Sequence, residues 1–478
     1  MKTNKKLSAF IGIILFAILH TSCTLPELQT KKEKIELPTK FNADSTNKNS
    51  AEINWREFFN DTNLIDIIDT ALVNNQELNI LLQEILITNN EVMARKGEYL
   101  PSVNLNIGAG AEKLGRYTSQ GANDANTEIA AGREFPEPLT DMMLSANASW
   151  ELDIWRKLRN AKDAAVKRYI SSIEGRNFVI TQLISEIASS YFELLALDNQ
   201  LEILKSNIDI QNNALNIVRL QKQAGKVTEL AVKKFEAEVL KNKSLIFNIQ
   251  QKINVTENKI NFLVGRYPQK IKRNSEYFNK LVPESIATGI PSQLLENRPD
   301  VRQAELEIEA SELDLKSAKA NFYPALKITA CLGYQGFSPS FLFQTPESMI
   351  YGLAGELLTP LVNRNAIEAT YLNANSKQIQ AIYNYEKVLL NAYVEVANQI
   401  SNIDNLQNSY RLREQQVDTL ILSIDISTKL FKSARADYME VMLTQRDALE
   451  ARFDLIETKQ QQLNGLVSLY KALGGGWK

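Results

Sequence analysis

Two stretches of this chain contain almost nothing that would stop a helix. Residues 155–224 hold no proline and one glycine, Gly175, and residues 364–433 hold neither. Proline removes a backbone donor and glycine adds conformational entropy to the unfolded chain, so their scarcity permits unbroken helices. Seventy residues at 1.5 Å each make a rod of about 105 Å. Apolar side chains recur at three- and four-residue spacing. Leu183, Ile184, Ile187, Tyr191, Leu194 and Leu201 mark the first stretch, and Ile382, Leu389, Val396, Ile400 and Ile403 the second. Helices far longer than 25 residues point to a coiled coil or a helical wall. A plain stalk is the competing reading of the helices alone.

The two rods occupy matching places in a repeat. Around Pro101 the chain reads Tyr99-Leu100-Pro101-Ser102-Val103, and around Pro324 it reads Phe322-Tyr323-Pro324-Ala325-Leu326. Each proline ends a helical pattern and opens a strand. Arg159-Asn160-Ala161 is echoed by Arg364-Asn365-Ala366. The two offsets differ, which fits one long loop at 111–140 against a shorter one at 337–347. The loop 115–138, rich in Gly, Asn, Ala and Thr, reads as extracellular. Strands are expected at 102–110, 143–152, 325–335 and 350–358. Val103, Leu105, Ile107 and Ala109 alternate with polar or small residues, as do Leu144, Ala146, Ala148 and Trp150. Each strand has about the 9–11 residues a tilted strand needs to cross a bilayer. A small soluble sheet capping the helices is the alternative. Each repeat runs helix, strand, loop, strand, long helix, tight reversal, long helix.

The N-terminus reads as an export signal at residues 1–22. Lys2, Lys5 and Lys6 precede an apolar run at 9–19, too short for a membrane-spanning helix. Cys23 follows Ser22, an arrangement resembling a bacterial lipobox, so Cys23 is expected to carry lipid and 23–54 to form a tether. Cleavage removes three lysines and no acid, taking the formal charge from -2 to about -5. It also removes His20, the only histidine among 478 residues. Without histidine, and with Cys331 the one cysteine besides Cys23, a His-based catalytic triad, a His/Cys zinc cluster and an intrachain disulfide are excluded. The near-neutral charge, without a large basic block, argues against nucleic acid as a partner. Cys331 lies in Ile328-Thr329-Ala330-Cys331-Leu332 and reads as a buried structural thiol.

Four membrane-length strands cannot close a barrel, and an open edge in lipid leaves backbone groups unsatisfied. Several copies of the chain must therefore share one barrel, with the long helices extending its wall into the periplasm. These parts describe a duct.

From Trp55 to the C-terminus the chain resembles the TolC-like outer-membrane factors of the OprM/NodT lipoprotein type. The residues that carry the resemblance are Trp55-Arg56-Glu57-Phe58-Phe59-Asn60-Asp61 before an opening helix at 64–78, and Trp150-Glu151-Leu152-Asp153-Ile154-Trp155. To these are added Asn297-Arg298-Pro299-Asp300-Val301, with Pro299 as a helix start, Asp437-Tyr438-Met439-Glu440-Val441, and Leu473-Gly474-Gly475-Gly476-Trp477. Arg156 stands where the family usually has glycine. The resemblance implies a mainly α fold with a membrane β-barrel contribution. Long coiled-coil helical hairpins plus four strands per chain would complete a twelve-stranded homotrimeric barrel and a periplasmic α-helical tunnel. The first repeat would span 55–265, an inter-repeat segment 266–297, the second repeat 298–473 and a tail 474–478.

The resemblance further implies passive conduction from a periplasmic adaptor and an inner-membrane pump of the RND type, with no cofactor, no metal and no catalysis. A type I protein secretion duct, or a non-conducting structural lipoprotein, are the alternatives. The hairpin tips, at Gly225, Lys226, Arg435 and Ala436, are expected to dock the adaptor. Gly225 supports the first reversal, whereas the second lacks glycine and is expected to turn differently. The family often places an aspartate five residues after the hairpin tyrosine; here that position is Leu443. The gate is therefore expected as an apolar constriction of Met439 and Leu443, with Asp437 or Glu440 supplying charge. Packing between helices is an equal reading of that pair. Trp150 and Trp155 are expected at the membrane interface or in buried packing.

Overall fold

The computed structural model describes residues 25–33, 36–41, 49–276, 278, 281, 287–360, 362–433 and 435–477. The expected signal peptide and the lipidation site Cys23 lie outside the described residues, as does Ala434 in the second reversal. After a one-turn helix at Trp55–Phe58 come α1 (Thr62–Asn74), α2 (Gln76–Glu98), β1 (Ser102–Glu112) and β2 (Leu139–Leu152). The hairpin of α3 (Lys157–Gln223) and α4 (Glu229–Val264) follows, then α5 (Pro299–Ala320), β3 (Ala325–Gly336) and β4 (Met349–Leu358). The hairpin of α6 (Asn365–Lys432) and α7 (Tyr438–Ala472) closes the chain. The strands run one to four residues beyond their expected limits. Between β1 and β2, where the sequence reads as loop, there is a short helix at Ser119–Asp124 and a small hairpin of Glu128–Ala130 with Arg133–Glu134.

The chain forms two compact units, and neither coincides with a repeat. One takes Leu86–Tyr169 and Leu306–Ile382; the other takes Glu33–Ile85, Ile170–Glu305 and Tyr383–Lys478. Each therefore draws on both halves of the sequence.

The first unit holds an antiparallel sheet in the order β1-β2-β3-β4. Its register sets Val103 opposite Ala148, Ala148 opposite Ala330, and Ala330 opposite Leu353. At the strand-to-helix junction Asp153 accepts from the backbone N–H groups of Leu158 and Arg159, both at 2.9 Å, and so satisfies donors that the start of α3 leaves free. The indole N–H of Trp150 donates to the Tyr99 carbonyl at 3.0 Å, and that of Trp155 to the Pro324 carbonyl at 2.8 Å. Both tryptophans thereby pin a helix-to-strand corner, while remaining partly exposed.

The second unit is built on a core of Leu64, Ile68, Ile184, Ile187, Leu194 and Ile260, all 1% exposed or less. Asp61 caps α1 through the Asn63 N–H at 2.8 Å and accepts the Tyr191 hydroxyl at 2.7 Å. The opening helix, expected unbroken over 64–78, breaks at Asn75. That side chain accepts from the Leu78 N–H at 3.0 Å and donates to the Leu263 carbonyl at 2.8 Å, ending one helix and capping the next.

Two of the sequence motifs turn out to be one lock. Arg298 donates to Asp300, to Glu395 at 2.7 Å and to the Ala472 carbonyl at 3.0 Å. Trp477 returns a hydrogen bond to the Asn297 carbonyl at 3.1 Å. Gly474 sits at φ 91°, and a Cβ there would lie 2.5 Å from the Asn297 oxygen, so only glycine allows the approach.

Candidate functional site

The register separates two chemistries across the sheet. Successive side chains on a strand point to opposite faces, so cross-strand partners share a face. One face carries Val103, Leu105 and Ile107 of β1 with Leu144 and Ala146 of β2; Leu332 and Ile328 of β3 and Tyr351, Leu353 and Leu357 of β4 continue it. It is apolar throughout and uncovered, with Val103 69% and Leu353 80% exposed. The opposite face carries Asn104, Asn106, Ser145, Asn147, Thr329 and Gly352, with Lys327 set between Glu151 and Glu356. An apolar outside against a polar inside, on strands of 10 to 14 residues, is the pattern of a membrane barrel wall.

Cys331 corrects an expectation. It pairs across the sheet with Asn147 and Gly352, on the polar face, and is half-exposed rather than buried. Its apolar neighbours Ala330 and Leu332 belong to the other face, because strand periodicity overrides the character of the local run.

The sheet's two edge strands, β1 and β4, are each paired on one side only. Their outer backbone groups have no partner among the described residues.

Within the second unit, the first reversal closes with the Lys226 N–H on the Gln221 carbonyl at 2.8 Å, and Gly225 adopts φ 69°. The second reversal, expected to differ, makes the same six-residue closure, from the Arg435 N–H to the Leu430 carbonyl at 2.9 Å. Gly225, Lys226 and Arg435 are exposed and Ala436 half-buried. Asp437 occupies the cap position of α7 but its side chain makes no capping bond, so its exposed carboxylate is left facing water.

The start of α7 has two adjacent rows. Tyr438 and Met442 pack against the cluster of Leu215, Val218, Val232 and Phe235, with the Tyr438 and Phe235 rings 6.4 Å apart. Met439 and Leu443 lie one residue further round; Met439 is half-buried, Leu443 is 37% exposed and Glu440 is exposed. The neighbouring row fills the helix interface, and the Met439 and Leu443 row stands beside it.

The sequence profile described as "Outer membrane efflux protein" matches residues 67–266 and 290–475. The chain belongs to this family. Among curated relatives, the pyoverdine export outer membrane protein OpmQ of Pseudomonas aeruginosa is 26% identical over 424 residues, covering 89% of this chain and 87% of its own length. The cation efflux system protein CusC of Escherichia coli is 25% identical over 468 residues, covering 97% of both chains. In fold, the open-state MtrE channel of Neisseria gonorrhoeae matches with TM-score 0.82 at 21% identity, over 95% of this chain and 98% of that one. A CusC crystal structure matches with TM-score 0.81 at 22% identity, over 94% and 99%. This family member is an outer-membrane efflux channel, mainly α-helical with a barrel contribution from its four strands.

The polar members of the strand alternation, Asn104, Asn106, Asn147 and Thr329, line the face opposite the apolar one. The capping roles of Asp153 and Asn75 had no signal in the sequence, since a cap is recognised only once the helix boundary is known.

Proposed function

We propose that three copies of this chain close a twelve-stranded barrel and form the exit duct of a tripartite system, fed by a periplasmic adaptor and an inner-membrane pump of the RND type. The observation that carries this reading is the four-stranded sheet with one apolar face, one polar face and two open edges. In lipid each unpaired edge group costs several kcal/mol, so the edges require partners. The two edges are different strands, and joining β4 of one copy to β1 of the next is a head-to-tail contact that closes as a ring. Four alternating strands per copy keep every joint antiparallel. The exposed stripe Leu240, Phe247, Val255 and Phe262 on α4, each at least 56% exposed, supports a second copy lying alongside the helices.

Cys23 carries the lipid in this proposal, and residues 23–54 tether it. Met439 and Leu443 form the constriction, with Asp437 and Glu440 as its charge, and the tips at Gly225, Lys226, Arg435 and Ala436 receive the adaptor. Conduction is passive; the pump supplies energy and selects cargo. Relatives named for pyoverdine export and for cation efflux support leaving that choice to the pump.

The test is purification in detergent followed by reconstitution into a planar bilayer. A heat-modifiable trimer with discrete conductance steps is expected, with larger steps for Leu443→Ser. A monomer soluble without detergent, giving no conductance, overturns the proposal.

A further inference from the structure

The two hairpin tips differ in charge. Residues 219–241, around the first reversal, carry six Lys or Arg against three Glu, whereas the equivalent residues 428–450 carry four against four. Pairing inside the first hairpin occupies all three acids. Lys222 meets Glu229 at 2.7 Å, Arg219 and Lys233 share Glu236 at 3.6 and 3.0 Å, and Lys241 meets Glu238 at 3.3 Å. The Lys222 ammonium holds the Glu229 carboxyl below its ordinary range, so that acid stays ionised and paired. Lys226 in the turn and Lys234 in α4 have no ion-pair partner among the described residues.

Leu230 lies between these lysines in the chain, and Leu220 precedes the turn. Leu220 and Leu230, which flank the reversal, are 64% and 59% exposed, against 37% for Leu430 and Leu443 in the second hairpin. Large apolar groups left in water and rimmed by charge mark a protein-binding surface. Lysines without partners then fix the sign of what binds, since like charges brought together across an interface are costly.

We infer that the first hairpin tip, with exposed Leu220 and Leu230 and the unpaired Lys226 and Lys234, is the primary docking surface, and that it takes a partner tip that is acidic around an apolar centre. This rests on the proposed docking of the adaptor at the hairpin tips and adds which tip leads and what chemistry it recognises. Exposed charges act over about 10 Å at 0.1 M salt, so the attraction steers the encounter and weakens as salt rises. The second hairpin, balanced in charge, contributes little to that steering.

The full-length channel in lipid nanodiscs is tested against two soluble α-helical hairpin peptides. Both have leucines at the turn; one is flanked there by four glutamates and the other by four lysines. The glutamate peptide should associate about tenfold faster at low salt than at 0.3 M, and faster than the lysine peptide. Lys226→Gln with Lys234→Gln should remove most of that salt dependence, whereas Lys432→Gln with Arg435→Gln should keep it. Retained trimer migration and helical circular dichroism show that the variants are folded. Equal rates for the two peptides, or an unchanged salt slope in the Lys226/Lys234 variant, overturn the inference. A photo-crosslinker at Leu230 and another at Ala436, in cells, separate the two levels of failure. Cross-links to a periplasmic adaptor with unchanged peptide kinetics defeat the charge assignment alone, and no adaptor cross-link at either position defeats the docking reading itself.

Discussion

Arg156 and Asn363 hold the same left-handed backbone conformation, at φ 58° and 56°, at the two points where a membrane strand hands over to a long helix. The chain needs one residue there that reverses its local handedness before α3 or α6 can start. Asparagine tolerates this region; arginine pays a steric cost through its Cβ of roughly 1–2 kcal/mol. Arg156→Gly should therefore stabilise the folded chain by about 0.5–1 kcal/mol after the entropy of the added glycine is counted. Thermal melting of the purified protein checks it, with an upward shift expected. Arg156→Val should lower the melting temperature.

Cys331 offers a native probe of which face meets water. A charged methanethiosulfonate reagent should modify it in the reconstituted channel and reduce the conductance. In a Cys331→Ser background, Leu332→Cys should resist the same reagent, because its side chain belongs to the apolar face. The opposite labelling pattern would invert the assignment of the two faces.

Arg298 is 5% exposed and satisfies Asp300, Glu395 and a backbone carbonyl together. Arg298→Met should cost about 3 kcal/mol, because it leaves the acids uncompensated. Arg298→Lys should recover only part of this, a point charge being unable to reproduce the guanidinium fork. Denaturant midpoints for the two variants and for the double variant with Asp300→Asn measure the effect, and the double variant should lose less than the sum of the single changes.

Burial pushes the Tyr470 hydroxyl up to about 12, while it donates to the Ile53 carbonyl at 2.6 Å and its ring stacks on Phe58 at 4.1 Å. The folded state thus favours the neutral phenol. Its contribution is complete below the ordinary tyrosine value of about 10 and is lost as pH rises from there to about 12. Stability followed by chemical denaturation should fall across that window. Tyr470→Phe should flatten the fall while costing about 1 kcal/mol at neutral pH through the lost hydrogen bond.

The long helices and the strand pairs were legible because each rests on a one-dimensional pattern. Residues 364–433 lack any breaker, and Val103, Leu105 and Ile107 alternate without interruption. What stayed hidden depends on contacts between distant segments. Nothing near Asn75 announces that Leu263 will accept its amide, and nothing near Trp477 announces the Asn297 carbonyl. The second reversal lacks glycine, which suggests a different turn, yet the bond from Arg435 to Leu430 closes the same six-residue span. Cys331 was misjudged because an apolar run was read as burial, when alternate members of a strand face different media. The Met439 and Leu443 row, half-buried at Met439 and 37% exposed at Leu443, stands beside a filled interface, and the constriction proposed there comes from the family resemblance rather than from a pattern in the residues.

The pairing of β2 with β3 joins Leu152 to Leu326 and Met142 to Gly336. Everything between them, including the whole of the first helical hairpin, must be synthesised and exported before the wall of the pore can zip. Until then the newly secreted polypeptide carries β1 and β2 with an unmet flank across the periplasm, a sticky intermediate prone to clumping. Delivery to its destination thus becomes a race between completing the sheet and self-association, and slowing translation late in the message should favour the latter.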